Sequence, residues 1–194
     1  MDERASRHSP EKEYRQINKI HFLIHPGFDA DPNTLLRKAK TELSMPLKDE
    51  FISAQKSLLK YKAVAESMNQ DEIMIAFLHP EKSDIKTDIK DNQPYLEVIK
   101  SLKAILGNRL ITLGGDFKIA HMSPKKGTKE AKKSFFAAIK LAQARGFKID
   151  ENTTAEAFGE YTDHCVNAAS QNLNDAAILQ NHIPINKKAS TDFS

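Results

Sequence analysis

Short apolar blocks alternate with longer amphipathic stretches along most of this chain. The first block, "INKIHFLIHPGF", gathers Ile20, Phe22, Leu23 and Ile24 and is closed by Pro26 and Gly27, which predicts a buried strand running into a turn. "DEIMIAFLHPEKSD" repeats that grammar of apolar block, histidine, proline and polar turn, and predicts a second strand. "RLITLGGDF" predicts a third, ending in a double glycine. "NTTAEAFGE" predicts a fourth, less rich in β-branched residues than the others.

The intervening stretches carry helical periodicity. From Asp31 to about Ser44 the sequence offers an N-cap, Pro32 at the first helical position and apolar residues at helical spacing, before Pro46 interrupts. A longer helix is expected over Leu47 to Met68, with Phe51, Ile52, Leu58, Leu59, Ala63 and Val64 forming its stripe. "QPYLEVIKSLKAIL" puts Leu96, Ile99, Leu102, Ile105 and Leu106 on one side and stops at Gly107 and Asn108. "GTKEAKKSFFAAIKLAQARG" is amphipathic, with Gly146 as its C-terminal stop. "TDHCVNAASQNL" predicts a last helix capped at Thr162 or Asp163.

Strands separated by helical stretches of this length are joined by crossover connections, which require a parallel sheet covered by helices. The expected fold is therefore α/β: a three-layer Rossmann-like parallel sheet of four or five strands with helices on both faces. The 194 residues suit a single domain, expected over residues 17–185, between a polar N-terminal tail (1–16) and a flexible C-terminal tail (186–194).

Composition narrows the partners. The formal net charge is +3, from 29 basic and 26 acidic residues, and only "SPKKGTKEAKK" concentrates the basic ones. Nothing aromatic is interleaved in that run, so it reads as a solvated helix face and no nucleic-acid partner is expected. The single cysteine cannot form an internal disulfide, and "MDERASRHSPEKEYRQ" has no apolar signal region. No apolar run approaches the roughly 18 residues that span a bilayer. A cytoplasmic protein without a membrane partner is the expectation, and surplus apolar surface on the long helix suggests a homodimer seam.

Ligands of open parallel sheets bind outside the carboxyl ends of the strands, where turns and helix N-termini converge. The first strand ends in His25, with Asp29 shortly after; the second ends in His79; the third delivers Gly114, Gly115 and Asp116. The fourth delivers Gly159 and Glu160, followed by Asp163, His164 and Cys165. Taken singly, each has a bland reading, such as a histidine bonding its own turn or an aspartate bracing a loop. No pair shows the short spacing of a local metal site, and "LGGDFK" lacks the spacing of a dinucleotide or P-loop turn. No metal and no cofactor are expected.

If a helix opens near Asp163, Cys165 lies in its first turn, where the dipole and unpaired amides favour a thiolate and could receive the oxyanion of a carbonyl under attack. The string formed by Gly159, Thr162, Asp163, Cys165, Val166, Ala168 and Ala169 resembles the signature of the isochorismatase-like cysteine hydrolases, which include nicotinamidases. That resemblance implies a Rossmann-like sheet and a nucleophilic role for Cys165 on an amide or related carbonyl. It covers about a dozen residues closely and the order of strands and helices loosely. The family's first strand ends in an aspartate base, where this chain has His25. Its lysine after the third strand is matched most nearly by Lys118, at a different offset. Its metal-binding members carry an aspartate and a histidine where this chain has Phe77 and Ser83.

Two functional classes follow from these residues. One is a thiol hydrolase of a small molecule, with Cys165 as nucleophile, His25, Asp29 or Asp116 as proton-transfer partner, and a pocket lined by His79, Gly115, Gly159, Glu160, Asp163 and His164. The other is a non-catalytic α/β module that binds a small ligand or a protein at the same crevice. In that case Cys165, Val166, Ala169 and Leu173 are simply one apolar helix face.

Overall fold

The computed structural model of the protein describes residues 14–26, 47–78, 93–114, 124–160, 162–177 and 179–190. The helix expected between Asp31 and Ser44 lies outside them. Among the described residues the elements in chain order are β1 (Arg15–Gln16), β2 (Lys19–Ile24), α1 (Leu47–Ser67), β3 (Glu72–Phe77) and α2 (Gln93–Leu106). There follow β4 (Leu110–Leu113), α3 (Pro124–Ala144), β5 (Phe147–Lys148), β6 (Thr154–Gly159) and α4 (Asn167–Asp175). The protein belongs to the α/β class, as the alternation of blocks predicted.

The four apolar blocks form one parallel sheet in the order β4-β3-β2-β6. Counted in chain order these are the third, second, first and fourth strands, so the chain reverses its direction of travel across the sheet between β2 and β6. That gap is a topological switch point. Register is even: Ile24 lies beside Phe77 on one side and Gly159 on the other, and Phe77 lies beside Leu113. The strands therefore end at one level. A bridge between Ala157 and Ile185 extends the sheet outside β6, secured by Ala157 N donating to the Pro184 carbonyl at 2.9 Å.

Alternation along the strands sends side chains to two cores. Ile20, Phe22, Ile24, Ile73, Ile75, Phe77, Ile111 and Leu113 meet Ala131, Phe135, Ala138 and Ala142 of α3 and Val166, Ala169 and Leu173 at α4. Phe22 stacks on Phe77 with ring centroids 5.9 Å apart. The opposite residues, Leu23, Met74, Ala76, Leu110 and Phe158, meet Tyr61 and Ala65 of α1 and Val98, Leu102 and Leu106 of α2.

Two details differ from the sequence reading. On α1 the buried line is Ser57, Tyr61, Ala65 and then Met68, while Leu59 is 67% exposed and Ala63 is exposed. The buried face is centred on Tyr61 and Ala65, with Leu58 and Val64 of the expected stripe partly buried against the same core. At the chain ends, structure extends beyond the expected limits. Arg15–Gln16 pair with Phe147–Lys148 as a second, two-stranded parallel sheet, and Ala189 and Ser190 are buried, with Lys60 Nζ donating to the Ser190 carbonyl at 2.9 Å. Gly146 closes α3 with φ +83, the left-handed turn that its position predicted.

Candidate functional site at the switch point

The crevice rule points to the carboxyl ends of β2 and β6, and the local geometry there is unusual. His25, the first residue beyond β2, has φ 50, which an L residue adopts at some cost and histidine more readily than most. Its backbone N–H donates to the Phe77 carbonyl at 2.9 Å, so the ladder to β3 holds it in that turn. The residue is buried, at 2% exposure.

Across the gap, Gly159 ends β6 with φ +149, and a Cβ placed there would stand 2.1 Å from the Ile24 carbonyl oxygen. No side chain fits, and glycine is required both by conformation and by contact. The next residue, Glu160, is fully buried, and its backbone N–H donates to the same Ile24 carbonyl at 3.1 Å. The switch point thus unites His25, Gly159 and Glu160 from two neighbouring strands. Such clustering of strained backbone is a mark of functional sites.

Past Glu160 the chain enters a π-wound turn, Thr162–Val166, before the regular α-helix begins at Asn167. A regular helix opening near Asp163 was expected, so this is a correction of winding. A π turn widens the helix by one residue, and such turns recur at functional sites. Cys165 lies within it at 9% exposure, and its neighbours in the apolar cluster include Val166, Ala169 and Leu173. Asp163 and His164 are exposed to solvent. Asp29, His79, Gly115 and Asp116 lie outside the described residues. Among the described residues no group of three histidine, cysteine or acidic side chains is placed to hold a metal ion.

A second polar cluster, which sequence reasoning missed, crosses the other end of the same sheet. His21 on β2 is buried, with Nδ1 2.8 Å from Glu156 Oε1 on β6 and Nε2 2.8 Å from Glu72 Oε2 on β3. Because ionised carboxylates only accept, an imidazolium donating from both nitrogens satisfies the pair. Lys19 Nζ reaches Glu156 at 3.2 Å and Asn186 Nδ2 donates to it at 3.3 Å. The hydrogen bond from His21 is the main cause that lowers the Glu156 pKa from 4.5 to about 2; burial opposes the shift, and the charges of His21 and Lys19 support it. The available signal was four ionisable residues, Lys19, His21, Glu72 and Glu156, in the largely apolar strands "KIHFLI", "EIMIAF" and "TAEAFG".

No family model, curated protein or solved structure matches the chain. Among the described residues, no helix is long and apolar enough to cross a membrane.

Proposed function

We propose that the protein is a cysteine-dependent hydrolase of a small amide or related carbonyl compound, working at the β2–β6 switch point. The observation that supports this reading best is the joint placement of a left-handed His25 and a side-chain-intolerant Gly159 on adjacent strand ends, with Cys165 on the π turn just beyond. In this scheme the Cys165 thiolate attacks the carbonyl carbon and the amine leaves with a proton. Water then cleaves the thioester, releasing the acid and restoring the thiol. His25 is the described candidate for moving those protons, and the buried Glu160 brings a carboxyl group to the same strand ends. The resemblance of the Gly159–Ala169 string to the isochorismatase-like signature supports the same assignment of the nucleophile.

One observation favours a second reading, in which the crevice binds a small molecule or a protein without chemistry: Cys165 shares the apolar cluster of the sheet. Burial of that kind raises a thiol pKa and protects it. Iodoacetamide labelling of the native protein at neutral pH separates the two. The hydrolase reading expects Cys165 to be modified in minutes and Cys165→Ala to abolish amide turnover with the fold intact. Labelling only after denaturation would leave the non-catalytic reading.

A further inference from the structure

At the opposite rim of the sheet, beside the β1–β5 pair, lies a cleft of about 590 Å³ lined by Tyr14, Arg15, Asn108, Arg145, Gly146 and Phe147. Its volume is that of small-molecule sites. Among the described residues the lining holds two arginines and one amide and no carboxylate, so these walls are cationic. We propose that it binds a small phosphorylated molecule carrying a flat ring, of the nucleoside monophosphate kind, independently of the chemistry assigned to Cys165.

Three features of the walls carry this inference. Arg145 is tethered at the end of α3: its Nη1 donates to the Asn108 carbonyl at 3.0 Å and also to the Leu110 carbonyl. A guanidinium fixed in this way keeps further donors in a rigid fork, which matches the paired oxygens of a phosphate. Arg15 is anchored through its backbone instead, with its N–H donating to the Gly146 carbonyl at 2.8 Å and the Ile17 N–H donating to the Lys148 carbonyl at 2.9 Å. Its side chain is exposed and its backbone is fixed by β1, so it brings a second cation to the cleft lining.

The third feature is Tyr14, 47% exposed, beside the arginines. A half-exposed aromatic ring lining a cationic cleft offers a stacking surface for a planar group, and the pairing of ring and guanidinium selects a ligand with both parts over free phosphate. Asn108 adds a neutral amide that can donate to or accept from a ring edge.

Calorimetric titration of the full chain with AMP, adenosine and inorganic phosphate tests this. Saturable binding of AMP is expected with a Kd below about 1 mM, and both adenosine and phosphate should bind at least about tenfold more weakly. Arg15→Ala should weaken AMP binding by about tenfold or more, whereas Lys148→Ala, on an exposed neighbour outside the cleft, should leave it unchanged. Arg15 makes its structural bonds through the backbone, so its variant keeps the fold. The proposal is overturned if AMP does not saturate, if phosphate alone binds as well, or if Lys148→Ala costs as much as Arg15→Ala.

Discussion

His21, on β2, and His25, the first residue beyond it, are four residues apart and have opposite fates. His21 lies within the ladder, its ring held between Glu72 and Glu156 from the two neighbouring strands. His25 lies just past the ladder, in a left-handed turn against a glycine that admits no side chain. Both are buried, so burial does not distinguish them. What distinguishes them is where ionic and conformational energy resides: charge pairing stabilises the lower rim, and backbone strain is held at the upper one. A parallel sheet concentrates its irregular backbone at the carboxyl ends, and there a site can form without breaking the ladder.

The comparison can be broken most decisively at Gly159. Gly159→Ala forces a Cβ against the Ile24 backbone and should destabilise the fold by about 4 kcal/mol or more in urea denaturation, since β2 and β6 must part. A variant of wild-type stability would show that the two strand ends are not in that contact. At the lower rim, His21→Ala leaves two carboxylates facing one another and should cost about 3 kcal/mol, read the same way.

The acid limb sharpens the contrast. Glu156 has a folded pKa of about 2, below its ordinary 4.5, so its contribution is complete above that ordinary value and is lost as pH falls through about 2. Wild-type stability should drop over that window by about 2 kcal/mol, allowing for solvent screening, and the His21→Ala variant should lose most of this dependence. An equally steep acid limb in the variant would place the titration elsewhere. The smallest effect is expected for His25→Asn, because asparagine also adopts the left-handed turn: less than about 1 kcal/mol in stability. A loss as large as that of His21→Ala would erase the distinction between the two histidines.

Much of this architecture was legible from periodicity. The apolar runs containing Ile20–Ile24, Ile73–Phe77 and Leu110–Leu113 read as buried strands and are so, and α2 begins and ends where "QPYLEVIKSLKAIL" does. The face of α1 was legible in part: Leu58 and Val64 of the expected stripe pack against the core, whereas Leu59 and Ala63 are exposed and Tyr61 and Ala65 take the buried positions. The ends of β2 and β6, at His25 and at Gly159 with Glu160, were legible one by one. Their pairing was not, because nothing in one sequence says that the fourth strand returns to lie beside the first.

The sequence by itself determined the class of fold, the limits of α1 and α2 and the residue types at the ends of β2 and β6, because alternation and helical period are local properties of the chain. Tertiary structure alone decided that Gly159 meets Ile24, that His21 is clasped by glutamates more than fifty and more than a hundred residues away, and that Cys165 rides on a π turn against the core. Those facts depend on strand order and register, which are set when the whole sheet is packed and not by any one segment.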